Sequence, residues 1–374
     1  MRNSCWRNSS KSLLVAGAGA LISVSGASYA QSSVTLYGVV DVAVTNRTGV
    51  PGGSQVLMTE GVLQGSRWGL RGTEDLGDGW KALFQLENGF QVYNGQFDQQ
   101  GQLFGRQAWV GLSKYFANTT NTVSFGRQYT IPFVMLYNFD PLGWAGNIQM
   151  AWPNLMQGCR FDNTMQYHFQ SGQLDAMLQY SLGGQPGSMS KGSTFAAGST
   201  YKFGQVMAGF SVQQSRDAEN RMMRFGAVGA NVGIGSANIY ALYQLGLRDP
   251  NFTPGAAGTT TPLANTSLLS NAGNPTTRRD SVFDVGVGYQ ITPALRTTVA
   301  VMYDSVSGIA GKTGGDTTVY ALADYLLSKR TDVYAGADYT RLTGAEVGNP
   351  YAIGGNFQGA HSRTEISAGL RTRF

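Results

Sequence analysis

The sequence of 374 residues is poor in cysteine, in histidine and in charged side chains. Of its two cysteines only Cys159 lies outside the N-terminal segment, and a single thiol cannot form an internal disulfide. A hydrolase would need His168 or His361 beside a carboxylate or a serine, and a polar surface role explains each histidine better. We therefore expect no disulfide framework, no enzyme, and neither metal nor cofactor.

Long hydrophobic runs are also missing. After residue 30 no stretch approaches about 18 consecutive apolar residues, which excludes membrane-spanning helices. The apolar segment 13–24 follows three basic residues and precedes Ser28-Tyr29-Ala30, an arrangement typical of a cleavable export signal. It is too short for an anchor, because a hydrocarbon core needs about 20 residues. We predict that 1–30 is a signal peptide cleaved after Ala30 and that 31–374 forms one domain.

The charge balance gives no sign of nucleic-acid binding. The chain has 27 basic and 22 acidic residues, and cleavage of the signal would remove three of the basic ones. The small remaining excess excludes a strongly basic surface.

Glycine and aromatic residues are abundant, with 51 Gly and 11% aromatic side chains, which suits a large sheet. Many segments repeat apolar residues at every second position, and a side-chain period of two indicates a strand with one apolar and one polar face. In one such segment Phe283, Val285, Val287 and Tyr289 alternate with Asp284, Gly286, Gly288 and Gln290. Strands can cross lipid with every amide paired only when they close into a barrel.

Sixteen such segments, bounded by turn signals, follow one another along the chain. The predicted strands lie near 34–45, 62–73, 80–91, 103–114, 121–129, 160–170, 173–182, 194–203, 205–214, 221–231, 235–247, 280–291, 294–306, 316–328, 331–342 and 361–374. Short connections alternate with long ones. The long connections lie at 46–61, 92–102, 130–159, 183–193, 248–279, 307–315 and 343–360. The pattern predicts an all-β, 16-stranded antiparallel transmembrane β-barrel in the outer membrane, with the short turns in the periplasm.

Aromatic residues near the strand ends would form girdles at the two membrane surfaces, because rings with a polar tip settle there. The candidates are Tyr180, Tyr201, Phe203, Tyr289, Tyr303, Tyr325, Tyr339 and Phe374.

Several stretches resemble one family, the trimeric general porins of Gram-negative outer membranes, most closely the beta-proteobacterial type. They are 31–41 (QSSVTLYGVVD), 66–77 (SRWGLRGTEDLG), 84–87 (FQLE), 105–112 (GRQAWVGL), 125–129 (FGRQY), 327–334 (LSKRTDVY) and 369–374 (GLRTRF). The resemblance implies passive diffusion of small hydrophilic solutes and ions through a homotrimer that contacts lipopolysaccharide and phospholipid.

The resemblance also implies that the third long loop, 130–158, folds into the barrel and narrows the channel. The composition of this loop permits that role, because prolines interrupt any strand and apolar side chains can pack on the inner wall. An extracellular lid is the alternative. The loop residues expected at the constriction are Tyr137, Phe139, Asp140 and Trp144.

Opposite this loop the resemblance places a column of basic side chains at Arg67, Arg106 and Arg160, with Arg127 as a further candidate. Strand parity independently places Arg67 on the inner face together with Arg71. Asp140 is the only carboxylate from 129 to 158, so crowded guanidinium groups would favour anions. Other residues expected to face the pore are Asp41, Arg71, Lys81, Gln85 and Glu87.

Two other functions stay open from the sequence. A channel selective for a sugar or an organic anion would use an aromatic or basic track, for which Tyr37, Tyr240, Tyr320 and Tyr334 are candidates. A structural or adhesive barrel would use its long loops and carry no current, although a lumen of sixteen strands is too wide to be filled by side chains alone.

Overall fold

A computed structural model describes residues 32–144, 157–255, 278–309, 311–349, 357 and 359–374. The described chain is almost entirely β-structure, and none of its helices is long and apolar enough to span a membrane. The strands are β1 Ser33–Val50, β2 Gly53–Glu60, β3 Arg67–Gly77, β4 Trp80–Gly89, β5 Gln107–Phe116, β6 Thr119–Tyr129, β7 Arg160–Ser171, β8 Leu174–Ser181, β9 Thr194–Phe203, β10 Val206–Arg216, β11 Met222–Ile234, β12 Ala237–Arg248, β13 Arg279–Gln290, β14 Leu295–Ile309, β15 Lys312–Leu326, β16 Thr331–Gly344 and β17 Ser362–Arg373.

These strands form one antiparallel sheet that closes on itself where β17 pairs with β1. Seventeen segments make sixteen positions around the barrel, because β2 and β3 share one position. β2 pairs with the second half of β1, and β3 pairs with its first half. The predicted 16-stranded antiparallel barrel is confirmed. Closure gives each position two hydrogen-bonded neighbours, the arrangement that a strand needs within lipid.

Burial alternates along the strands as the side-chain period requires. On β13, Phe283 and Val285 are exposed on the outer face, whereas Asp284 between them is fully buried on the inner face. All the predicted girdle residues except Tyr180 are highly exposed on the outer face. The outer face is therefore apolar, and the polar side chains point into the barrel.

Two predicted loops are wrong. Most of 46–61 is a hairpin made by the end of β1 and by β2, and most of 307–315 is a hairpin between β14 and β15. In the first, Val56-Leu57-Met58 is a continuous apolar run without a period of two, although Val56 and Met58 are exposed on β2. In the second, four glycines hide the alternation. The predicted second strand, 62–73, is also partly wrong, because 61–66 lies between β2 and β3 outside any strand. The predicted loop 248–279 lies mostly outside the described residues.

The described part of the third long loop begins with a short helix, α1 Ile131–Leu136. The hydroxyl of Thr130 accepts a hydrogen bond from the backbone N–H of Phe133 and caps this helix, and Pro132 occupies its first turn, where no N–H is needed. A 3₁₀ turn, Tyr137–Phe139, follows. Residues 145–156 of the predicted loop lie outside the described residues.

Glycines on the inner face make room for this segment. A Cβ placed at Gly198 would lie 2.8 Å from Ile131, and one at Gly229 would lie 2.5 Å from the ring of Phe139. A Cβ placed at Gly286 would lie 2.5 Å from Pro141. The segment therefore lies in a shallow groove made by wall positions that lack side chains.

Candidate functional site

Three of the predicted arginines meet around one carboxylate and one phenol. Arg67 begins β3, Arg106 directly precedes β5, and Arg160 begins β7. The Nε of Arg106 donates to Glu87 Oε1 at 2.8 Å, and its Nη2 donates to the Tyr129 hydroxyl at 2.8 Å. Arg160 donates to the same hydroxyl at 3.3 Å, and Arg67 Nε lies 3.8 Å from Glu87 Oε2. The fold thus gathers guanidinium groups from three separate strand ends.

An aromatic stack continues from this cluster into the third loop. The guanidinium of Arg160 lies 4.7 Å from the centre of the Tyr129 ring, within cation–π distance. Tyr129 stacks on Phe133 at 4.8 Å, and Phe133 lies 6.2 Å from Trp144, whose indole N–H donates to the Phe133 carbonyl at 2.8 Å. Aromatic packing therefore connects the basic wall to the loop.

Acidic side chains accompany the arginines. Glu87 accepts a hydrogen bond from Tyr37 at 2.8 Å, and Tyr37 accepts one from Gln85 at 2.7 Å. Glu60 and Asp98, which the sequence did not single out, line the same cavity as the three arginines.

Asp140 does not line the cavity of these three arginines, but it lines the smaller of the two cavities described below. It is 2% exposed, and its Oδ1 accepts hydrogen bonds from the backbone N–H groups of Leu142 at 2.9 Å and Trp144 at 3.0 Å. The loop's one carboxylate therefore stabilises its own turn. Of the other predicted loop residues, Phe139 is fully buried and Tyr137 is 49% exposed.

Four predicted pore residues lie elsewhere. Arg127 pairs with Asp162 at 2.6 Å and lines neither of the two cavities described below. Asp41 is fully buried and accepts hydrogen bonds from other parts of the wall. Arg71 and Lys81 are exposed toward the short turns and also line neither cavity.

Two cavities lie inside the described part of the barrel. The larger, about 640 Å³, contains the predicted arginine cluster together with Glu60 and Asp98, and it lies toward the long connections. The smaller, about 510 Å³, lies toward the short turns and is lined by a second basic group that the sequence did not predict, Arg296, Arg371 and Arg373. Strand parity could have found these three, because each shares the polar face of its strand.

The second basic group is also paired with acids. Arg371 donates to Asp332 at 2.9 Å, and its Nη2 lies 3.2 Å from Asp324. Arg373 lies 2.9 Å from Asp332, and Arg296 donates to the Tyr240 hydroxyl at 3.1 Å. In both cavities, acidic side chains therefore offset part of the positive charge of the arginines.

The remaining thiol does not add chemistry to this site. Cys159 is buried, and burial raises the pKa of its thiol to about 11, so the reactive thiolate is scarce at neutral pH. No group of three His, Cys, Asp or Glu side chains in the described ranges is arranged to hold a metal ion.

Comparisons with known proteins agree with this architecture. A family profile described as Gram-negative porin matches residues 16–345. The chain is 41% identical over 179 residues to an outer membrane porin protein of Bordetella pertussis, covering 43% of this chain and 45% of that protein. It is 39% identical over 129 residues to outer membrane porin protein 32 of Delftia acidovorans, covering 34% of this chain and 35% of that protein. These alignments span less than half of either relative.

Solved structures share the fold over a larger part of the chain. The anion-selective porin from Comamonas acidovorans superposes with a TM-score of 0.71 at 22% identity, covering 92% of this chain and all of that one. Salmonella typhi OmpF superposes with a TM-score of 0.61 at 16% identity, covering 91% of this chain and 97% of that one. Because the profile matches most of the sequence and the barrel closes as in these structures, the chain belongs to the Gram-negative porin family of the outer membrane.

Proposed function

We propose that this protein is a passive channel through which small hydrophilic solutes and ions diffuse, with a modest preference for anions. The single observation that carries the proposal is the grouping of Arg67, Arg106 and Arg160 on the wall of a 640 Å³ cavity inside the barrel. A closed wall with an apolar outside and a polar inside supplies the path through lipid. No catalytic step and no energy source are needed.

In this proposal the third loop, 130–158, narrows the path. The supporting observation is that its described part contacts inner-face glycines on β9, β11 and β13. Tyr137 remains largely exposed at the edge of both cavities, where a solute would meet it.

The anion preference rests on how the arginines are paired. Arg67 and Arg106 share one carboxylate, that of Glu87, and Glu60 and Asp98 line the cavity beside them. Asp140 lines the smaller cavity and not this one. We propose that the guanidinium groups outweigh these carboxylates, and a narrow channel with low-dielectric walls amplifies the difference.

We also propose the features that the family resemblance implies for the cell. Residues 1–30 direct export and are removed, and three copies assemble side by side in contact with lipopolysaccharide and phospholipid. The apolar outer face of the described strands offers area for both kinds of contact.

Reversal potentials test the proposal. The purified protein is inserted in a planar bilayer between two KCl concentrations, and a reversal potential of the sign set by chloride is expected. Cation preference would refute the charge argument. Absence of any current from folded protein would refute the channel itself and favour an adhesive barrel.

A second candidate is a channel selective for an organic anion. The observation that favours it is the Tyr129–Phe133–Trp144 stack next to Arg160, since a flat anionic solute could contact rings and guanidinium together. Such a solute would block the KCl current in a saturable way, whereas a general channel would show no saturation.

A further inference from the structure

The wall of the barrel is interrupted at one position, between β2 and β3. Residues 61–66, which we call the inner turn, leave the sheet after Glu60 and return to it at Arg67. Val62 is 1% exposed and Leu63 is 5% exposed. Their apolar contacts lie on the inner face of the barrel, with Ala43 of β1, Leu322 of β15, Tyr334 of β16 and Leu142 of the third loop. The inner turn therefore projects inward and meets the loop.

Hydrogen bonds from distant strands fix the inner turn. Asp41 Oδ2 accepts from the backbone N–H of Gln64 at 2.8 Å, and its Oδ1 accepts from the Tyr334 hydroxyl at 2.6 Å. That hydroxyl in turn accepts from the Val62 N–H at 3.0 Å. The Ser66 hydroxyl donates to the Asp41 carbonyl and accepts from the Asp41 N–H, each at 3.0 Å. Every one of these bonds to residues 62 and 64 uses the backbone, so their side chains are free to vary.

The glycine that opens the inner turn explains how closely the chain approaches the wall. A Cβ at Gly61 would lie 2.0 Å from Asp41 Cγ. Any larger residue would push the turn away from the carboxylate that holds it. The buried carboxylate of Asp41 is thus a positioning group for the turn, which accounts for its absence from the cavity walls.

The two cavities meet at the inner turn. Four residues line both of them, Leu63, Gln64, Tyr137 and Gly143. All other described lining residues belong to only one cavity, the basic group of Arg67 and Arg106 to the larger and that of Arg296 and Arg371 to the smaller. A residue set shared by two cavities marks the neck between them. One side of this neck is the inner turn and the other is the third loop.

The four described neck residues carry no charge. Their side chains are the isobutyl group of Leu63, the amide of Gln64 and the phenol of Tyr137, and the arginines lie on either side of the neck. The Gln64 Oε1 is buried with no hydrogen-bond partner among the described residues. The Gln64 side chain as a whole is half-buried and lines both cavities, so a passing solute meets an uncharged amide at the neck.

We infer that Gln64 is a specificity-determining residue of the channel, because it forms the wall side of the neck and the third loop forms only the opposite side. The inference rests on the proposed channel function and deepens it. The amide at the neck admits small anions and neutral polar solutes that can accept or donate a hydrogen bond in exchange for water. A charge placed at this position acts where the distance to any passing ion is shortest.

The test places opposite charges at position 64 and records single channels in planar bilayers. Gln64→Glu is expected to lower the chloride-to-potassium permeability ratio by roughly fivefold or more, since a unit charge about 4 Å away is worth about 1 kcal/mol even in water. Gln64→Lys is expected to raise the ratio. Opposite shifts from one position cannot come from misfolding.

Gln205→Glu is the matched control. Gln205 is exposed in the short turn between β9 and β10 and lines neither cavity, so the same substitution there should shift the ratio less than about twofold, because solvent and salt screen the charge. Equal shifts at positions 64 and 205, or no shift at 64, would overturn the inference. A wild-type protein that carries no current or prefers cations would instead overturn the proposed function, so the two failures can be told apart.

Discussion

At the level of single side chains, the two oxygens of the Glu87 carboxylate face different arginines. Oε1 accepts from Arg106 at 2.8 Å, and Oε2 lies 3.8 Å from Arg67 and accepts from Tyr37 at 2.8 Å. A buried carboxylate with this many partners fixes the guanidinium planes and removes one charge from the wall. Arg160 lies against the ring and hydroxyl of Tyr129 and lines the larger cavity.

Because its guanidinium group lines the cavity, Arg160 should contribute strongly to selectivity. We predict that Arg160→Gln lowers the chloride-to-potassium permeability ratio by roughly fivefold at low salt, since the lost charge is worth about 1 kcal/mol close to the path. Reversal potentials measure the ratio.

Arg127→Gln is the control for this prediction. Arg127 is also buried, but it pairs with Asp162 outside both cavities, so its removal should leave the ratio within about twofold. Equal effects of the two substitutions would contradict the assignment of the basic wall. Heat-dependent mobility on detergent gels would show that both variants are folded.

At the level of elements, side-chain packing holds the third loop in place as much as hydrogen bonds do. Phe139 is fully buried and packs with Leu136 and Trp144 of the loop and with Phe225 and Ala227 of β11. This packing is possible because Gly229 leaves the wall bare beneath the ring.

Gly229→Ala should displace this ring. The new Cβ would lie 2.5 Å from Phe139 Cγ, and overpacking of a buried site costs about 1–3 kcal/mol. We predict a lower unfolding temperature in detergent and a smaller single-channel conductance, because the loop moves away from the wall and into the path.

Gly226 lies on the same strand and provides the comparison. A Cβ there has no atom within 4 Å, so Gly226→Ala should change neither the unfolding temperature nor the conductance. If Gly229→Ala behaved like Gly226→Ala, the loop would not depend on the wall glycines.

Most elements could be predicted from the sequence, because alternation is a local property of strands that face lipid on one side. The inner turn could not. Val62 and Leu63 look like part of a strand, and the bond that turns them inward comes from Tyr334, 272 residues away from Val62. The glycines at 61 and 65 were the available signal, since paired glycines within a strand pattern indicate a break.

The candidate site was predictable to a similar extent and for a similar reason. Arg67, Arg106 and Arg160 could be named from motifs, but Glu60 and Asp98 join them only through the course of the connections. Asp140 was identified as the loop's lone carboxylate, yet its role depends on which N–H groups its own turn leaves unpaired. Sequence patterns give residue types and faces, whereas charge balance depends on distances.

At the level of the whole molecule, the barrel presents two cavities in series, each with three arginines and a partly compensating set of acids. The net charge of each is small, so selectivity depends on fields that act over several ångströms. Dissolved salt screens such fields over about 10 Å at 0.1 M and about 3 Å at 1 M.

The anion preference should consequently depend on ionic strength. We predict that the chloride-to-potassium permeability ratio is highest at the lowest salt and approaches the ratio of the bulk mobilities near 1 M. Reversal potentials at a fixed concentration ratio and rising mean concentration give this dependence. A ratio that does not change with salt would indicate selection by a tight binding site.

The buried, weakly acidic Cys159 makes the channel suited to chemical labelling. A cysteine introduced by Gln64→Cys would be more exposed to water and more acidic than the native thiol. Charged thiol reagents added to an open channel should therefore react with it first. Positive and negative adducts could then be compared on one molecule during a recording, and the native cysteine would not have to be replaced.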